Sequence, residues 1–362
     1  MGMPEATDAD RKTFHINVEV SGCLSACMHC WAQGHPYPPT KLDDIEWVLE
    51  EGARFCQAEG LRFMPFPMHE VLTHPDALKL IRLFSSYADQ QMFDPLVTPG
   101  PIPARREDWE EILNGVRDLG TTTLWLSFHG MNDVHDRIAN CEGAFADTIT
   151  TIERAKSVGL SCGTNLFVSS ANAHEIPDIL QFFRSVGIGG ISAEVVNYCA
   201  HPRGRAYEAL RPELDQLLPQ AESLAGATRS YKDFWSNIEQ HTEAYYINEA
   251  LTKRESDLAW PKTDRSFISA FCRTSMDVYS GKGPSNGVCH GNLRSGDAQA
   301  TFARAVDAWP QTWVEVLCPG VHIPSPLHLA RQWGNPQGRK VYMDEWNLYE
   351  RLLDVASGGT QP

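Results

Sequence analysis

Cys23, Cys27 and Cys30 fall within eight residues, in the segment Ser21-Gly22-Cys23-Leu24-Ser25-Ala26-Cys27-Met28-His29-Cys30. Soft thiolates at this spacing suit iron–sulfur chemistry. They suffice to hold three irons of a [4Fe–4S] cube, leaving the fourth iron without a protein ligand. An open iron can chelate a small molecule and pass it an electron. Zinc is an alternative, since His29 or His35 would complete a four-ligand set. So are three incidental thiols. No His-Glu-x-x-His pattern supports a zinc hydrolase.

Such a loop needs a scaffold. From residue 14 to 226 short runs rich in branched and aromatic residues alternate with helical patterns. The expected strands are His15–Val20, Leu61–Phe66, Met92–Val97, Thr122–Phe128, Leu160–Val168 and Ile188–Asn197. Between them, Thr40 with Asp43 reads as a capping box ahead of Ile45, Val48 and Leu49. Asn172 with Glu175 reads as a cap ahead of Ile176, Ile179 and Phe183, and His135-Asp136 as the tie of a helix start. Gly60, Gly120, Gly159 and Gly187 stand where helical patterns stop. Six strand–helix units imply an α/β fold with a parallel sheet, a partial (β/α)6 TIM-type barrel, with a doubly wound open sheet as the alternative. In either, ligands gather at the C-terminal strand ends. The cysteine loop directly follows the first strand. From 227 onward periodicity weakens, and strand alternation appears only around Met276–Tyr279 and Trp313–Leu317. The expected division is therefore a tail at 1–13, a core barrel at 14–226 and an irregular C-terminal extension at 227–362.

Over residues 14–210 the chain resembles the radical S-adenosylmethionine (SAM) superfamily, on the cysteine loop and on several strand-end segments. The resemblance implies a [4Fe–4S] cluster on Cys23, Cys27 and Cys30, with SAM chelated at its open iron. The family's Gly-Gly-Glu stretch corresponds to Met68-His69-Glu70, followed by His74-Pro75-Asp76. Glu70 is thereby implied as acceptor of the SAM amino group, with both glycines replaced. His29 holds the place of an aromatic that packs near adenine. Thr98-Pro99-Gly100 stands where many relatives have Thr-Asn-Gly. Ser127-Phe128-His129-Gly130 resembles the fourth-strand segment, which makes Ser127 a candidate for the SAM carboxylate or ribose. Asn165 is a ribose candidate. Pro202-Arg203-Gly204-Arg205-Ala206 resembles the Gly-Arg-Ala segment of relatives with a SPASM or Twitch extension, and makes Arg205 a cofactor-binding candidate.

The tail carries Cys272, Cys289 and Cys318. Cys272 through Asn292 resembles the opening of a SPASM or Twitch domain, which implies a second iron–sulfur cluster on these thiols. The fourth ligand is open among His290, His322, Cys199 and substrate. The turn-rich Ser280–Gly287 stretch predicts a hairpin that brings Cys272 and Cys289 together. Buried, inert thiols are the alternative.

The sequence is 42% hydrophobic and 21% charged, as folded chains are, with a formal net charge of −15. That charge speaks against nucleic acid and anionic membrane as partners. No apolar leader or spanning stretch is visible, so the cysteines are read in a reducing cytoplasm. The expected activity is reductive SAM cleavage followed by hydrogen-atom abstraction from a small natural-product intermediate of sugar or aminocyclitol type. A ribosomal peptide is the alternative substrate, and a non-catalytic electron-transfer protein the alternative of another class. A flavodoxin or ferredoxin is the expected reductant.

Overall fold

The computed structural model describes residues 12–30, 32–87, 90–263, 266–280, 287–309, 314–315 and 323–358. Among them the strands are β1 (Thr13–Glu19), β2 (Arg62–Met68), β3 (Leu96–Thr98), β4 (Thr123–Phe128), β5 (Ser161–Val168), β6 (Gly190–Val195), β7 (Phe267–Cys272), β8 (Asp277–Ser280) and β9 (Val288–Asn292). The fold class is α/β. β1 to β6 are parallel within their sheets and each is followed by helix, the succession of a partial (β/α)6 TIM-type barrel with a C-terminal extension.

Two compact units comprise the described residues of 1–23, 37–93 and 260–322, and of 24–36, 94–259 and 323–362. In the first, the sheet order is β2-β1-β7-β8-β9. Phe14, Ile16 and Val18 of β1 are fully buried, and Phe14 meets Phe55 and Phe302 edge-on at 5.7 and 5.8 Å. The helix Leu42–Glu59 adds Ile45, Val48 and Leu49 to this core. It stops at Gly60, whose φ of 67° is the left-handed conformation glycine tolerates.

In the second unit the order is β3-β4-β5-β6. Leu124, Leu126 and Phe128 of β4 and Leu166 and Val168 of β5 are buried, as are Leu113, Ile152 and Phe183 of the following helices. Burying about 25 cal/mol per Å² of apolar area, such rows dominate the stabilisation of the sheet. The alternate positions Trp125, Ser127, Asn165 and Phe167 are only half-buried, so one sheet face is core and the other carries function-capable groups.

Several expectations need correcting. β3 is confined to Leu96–Thr98, because Gln90–Phe93 winds into a 3-10 turn. Thr40 does not cap its helix; its hydroxyl donates to Glu19 O at 2.8 Å, and Lys41 stands at the N-cap. Asn172 ties strand ends instead of capping: Nδ2 donates to His129 O and Phe167 O, both at 2.8 Å. Residues 227–362 are richer in helix than their periodicity suggests. Helices Glu243–Thr252, Ala298–Asp307, Pro326–Trp333 and Glu345–Ala356 begin at Thr242, Asp297, Ser325 and Asp344, each accepting an amide N–H. Those caps were the available signal. β7 lies parallel to β1 as its second neighbour, satisfying an edge that would otherwise stay open. Of the expected strand Trp313–Leu317 only Val314 and Glu315 are described, and they are helical. No helix among the described residues is long and apolar enough to cross a membrane.

Candidate functional site

In the first unit the even face of β1 is core, and the odd face carries His15, Asn17 and Glu19. Asn17 Nδ2 donates to Ser269 Oγ at 3.3 Å and to Ala270 O at 3.4 Å, tying this polar row to β7. Cys23 follows four residues after the strand and is half-buried. Ser21 Oγ donates to Glu70 O at 2.6 Å, joining the ends of β1 and β2. Glu70 is buried, and its Oε1 accepts the Leu72 N–H at 3.0 Å, capping the turn Val71–Thr73. His74 donates from Nε2 to Thr40 O at 2.8 Å and accepts the Asp76 N–H at Nδ1, so the His-Pro-Asp segment is a structural clasp.

His69 has φ of +68°, the region glycine usually fills. The backbone turn of the missing glycine is thus kept by a side chain that packs. Its Nε2 lies 3.4 Å from Glu19 Oε1, and Tyr37 meets its ring edge-on at 5.6 Å. Glu19 Oε2 accepts from Arg273 Nε at 3.0 Å and from the Thr274 N–H at 3.1 Å. Burial pushes the Glu19 carboxyl up, but His69, Arg273 and the Thr274 amide together outweigh it and leave the group below its ordinary range.

In the second unit the cysteine loop is fixed against the helix Asn132–Ala139. Ala26 N–H donates to Ala139 O and Met28 N–H to Ile138 O, both at 3.0 Å. Met28 packs on the cluster of Ile138, Val196 and Tyr207. The Cys30 N–H turns back to Cys27 O at 3.1 Å. Arg203 Nη1 donates to Gly34 O at 3.0 Å and lies 3.5 Å from Cys27 O, clamping both sides of the turn. The Gly34 N–H donates to Cys30 Sγ at 3.3 Å, and His129 Nε2 lies 3.8 Å from Cys27 Sγ. Burial, then the neighbouring Cys30, pushes the Cys27 thiol up to about 12. A metal would displace that proton outright.

His29 is half-buried among rings: His129 at 4.9 Å, Phe167 at 4.6 Å and Tyr207 at 5.6 Å. Burial first, then Arg203 and His201, lowers its pKa to about 4, so it is neutral at pH 7.

The loop's chemistry fits a thiolate-held cluster. Cys30 Sγ accepts the Gly34 N–H, and a ring nitrogen of His129 stands beside Cys27 Sγ, polar neighbours of the kind iron–sulfur thiolates have. Among the described residues no three His, Cys, Asp or Glu side chains converge as a single metal ion requires.

Ser127 and Asn165 are register partners on β4 and β5, near the strands' C-terminal ends. Asn165 Oδ1 accepts from Trp125 Nε1 at 2.7 Å. The Trp125 ring lies across Gly163, where any Cβ would run into it. Asp136 ties the helix start as expected, accepting the Gly143 and Phe145 N–H groups at 2.7 and 2.8 Å.

Arg205 is placed otherwise than expected. Its Nε and Nη2 both lie 2.7 Å from the two oxygens of Asp354, which also accepts from Tyr198 OH at 2.5 Å. A forked guanidinium–carboxylate pair is complete in itself, so Arg205 secures the C-terminal helix, while Arg203 reaches the cysteine loop. Arg203, on the cysteine loop, and Trp125, on Asn165, are the side chains beside the candidate residues that sequence reading did not single out. Two residues apart on one short helix, Arg203 and Arg205 are alike in sequence, and no periodic signal separates them.

The tail cysteines also differ from expectation. β7, β8 and β9 form an antiparallel meander in which Cys272 pairs with Val278 and Cys289 with Tyr279. The two thiols are two strands apart, roughly 10 Å at the usual strand spacing. Cys272 shares the buried side with Val278, and Cys289 is exposed beside Tyr279. The stretch folds as three strands, not one hairpin, so its ends do not meet. Cys318 and His322 lie outside the described residues.

Residues 20–183 match the family model described as the Radical SAM superfamily. Among curated proteins, the sporulation killing factor maturation protein SkfB of Bacillus subtilis is 24% identical over 257 residues, 70% of this chain and 53% of that protein. The PqqA peptide cyclase of Gluconobacter oxydans is 26% identical over 180 residues, 49% of this chain and 47% of that protein. The chain thus spans about half the length of the curated relatives it matches. Among solved structures, native anSMEcpe with bound AdoMet and Kp18Cys peptide superposes with a TM-score of 0.50 at 14% identity. It covers 96% of this chain and 99% of that one, a likeness of fold.

Proposed function

The chain carries a radical SAM superfamily domain, and from that premise we propose that it is a radical enzyme acting on a peptide. The family uses a [4Fe–4S] cluster and SAM. Cys23, Cys27 and Cys30 are the proposed cluster ligands, on their spacing and on the Gly34 N–H that donates to Cys30 Sγ. Held there, such a cluster would supply the electron for reductive SAM cleavage and so the radical chemistry of hydrogen-atom abstraction. Glu70 is the proposed acceptor for the SAM amino group. Ser127 and Asn165, on the open face of β4 and β5, are the proposed carboxylate and ribose contacts. Arg203 orients the cysteine loop through its carbonyls. A flavodoxin or ferredoxin is the proposed electron source.

The substrate reading rests on one observation: one curated relative is named for cyclising the PqqA peptide, and the other for maturing a killing factor. This favours a peptide over the sugar or aminocyclitol expected first. The test offers perdeuterated candidate peptides, sugars and aminocyclitols to reduced, cluster-loaded protein with SAM. Deuterium should enter 5′-deoxyadenosine from a peptide alone, and not in the Cys23/Cys27/Cys30→Ala variant. Transfer from a sugar or aminocyclitol instead would overturn the peptide reading; cleavage by the triple variant would overturn the cluster assignment.

A further inference from the structure

We infer that His129 donates an N–H···S hydrogen bond to Cys27 and thereby raises the reduction potential of the cluster that Cys27 holds. The inference rests on the proposal that Cys27 is a cluster ligand, and goes beyond it by assigning a residue that sets the cluster's energetics.

The imidazole has little freedom. The His129 N–H donates to His135 Nδ1 at 3.3 Å, and its carbonyl accepts from Asn172 Nδ2 at 2.8 Å. The ring stacks on Phe167, with centroids 5.2 Å apart and planes 19° apart. His29 packs on it at 4.9 Å. With the backbone held on both sides and two rings packed against the imidazole, Nε2 is set 3.8 Å from Cys27 Sγ. Nδ1 is buried and has no hydrogen-bond partner among the described residues. Sulfur is therefore the one polar partner of this imidazole among them.

A neutral imidazole carries one N–H. On Nδ1 that donor would be buried with no acceptor; on Nε2 it faces sulfur. Buried donors are satisfied more strictly than buried acceptors. Once Cys27 is a thiolate its sulfur only accepts, and the Nε2–H tautomer is the one that fits.

Hydrogen bonds to cluster sulfurs are among the terms that set iron–sulfur potentials. A donor on a thiolate stabilises the more negative, reduced state, so electron uptake from a flavodoxin- or ferredoxin-class reductant becomes easier. His129 breaks and forms no covalent bond and keeps its proton. It is a positioning residue acting through Cys27.

The experiment compares wild type, His129→Phe and His129→Gln after anaerobic reconstitution, by iron and sulfide content and by EPR-monitored redox titration. Phenylalanine keeps the ring stack without a donor; glutamine places an amide N–H near the lost Nε2. All three should hold about four irons per chain. The Phe variant should titrate at a lower potential, and the Gln variant should recover part of the difference. Pulsed EPR of reduced wild type labelled with 15N in the imidazole rings should show a weak nitrogen coupling, which tests the contact even if the Phe variant does not fold. A loaded Phe variant with unchanged potential, or a wild-type cluster with no imidazole coupling or the strong coupling of a bound nitrogen, would overturn the inference and leave the cluster reading standing. Wild type that takes up no iron would remove both.

Discussion

His69 Nε2 lies 3.4 Å from Glu19 Oε1, linking the ends of the parallel strands β2 and β1 at a backbone position where φ is +68°. A non-glycine residue pays roughly 1–2 kcal/mol to stand in that region. His69→Ala loses the ring contacts and keeps the strain, while His69→Gly loses the contacts and the strain together. The glycine variant is expected to be more stable than the alanine variant by about 1 kcal/mol in urea unfolding. Equal stability of the two would mean that the turn is not left-handed in solution.

The same carboxylate gives a pH signature. Glu19 is held below its ordinary range when folded, so its stabilisation is fully present above the unfolded value of about 4.3. It is lost as pH falls from there through the lower folded pKa. Between about pH 5 and 3 wild type should lose stability more steeply than Glu19→Gln. Parallel curves would show that the carboxylate is not depressed. The slopes carry the test, since the glutamine also changes the partners of Arg273.

Asp354 accepts from both Arg205 and Tyr198, and Tyr198 is buried. Asp354→Ala leaves both donors without it and is expected to cost about 1–3 kcal/mol. Asp354→Asn, which keeps an acceptor, should cost less. SAM affinity of the folded fraction, measured by calorimetry, should not change. A loss of SAM affinity at unchanged stability would return Arg205 to the cofactor.

Glu70→Gln removes a charge and keeps the oxygen that accepts the Leu72 N–H. The 3-10 turn should therefore survive and the cluster assemble normally. A charge-assisted hydrogen bond to an ammonium group is worth about 1.5–3 kcal/mol. SAM should accordingly bind about ten- to hundredfold more weakly. Unchanged affinity would make Glu70 a turn residue only.

The parts legible in the sequence were those with a local signal. The cysteine spacing, the alternation within β1, β4 and β5 and the glycine stops are short-range patterns, and the strands lie within a few residues of expectation apart from β3. What escaped were choices between equivalent partners. Thr40 had a capping box available, but the Glu19 carbonyl took its hydroxyl. Arg203 and Arg205 share one helix, and only packing decides which meets Asp354. The turn-rich stretch between Cys272 and Cys289 announces a reversal without stating how many strands share it. Left-handed backbone at His69 is legible only through the Gly-Gly-Glu resemblance, since the histidine itself carries no local sign of such a turn.

β7 lies beside β1, with His15 and Ser269 in contact across 254 positions of sequence. During synthesis at about 5–20 residues per second, roughly 13–50 s separate the emergence of the two strands from the ribosome. For that interval one hydrogen-bonding edge of β1 has no native partner, in a segment whose alternate residues are Phe14, Ile16 and Val18. Nascent chains of this protein are accordingly expected to depend on chaperone cover until the meander is made. Fragments ending before Phe267 should aggregate where the full chain does not.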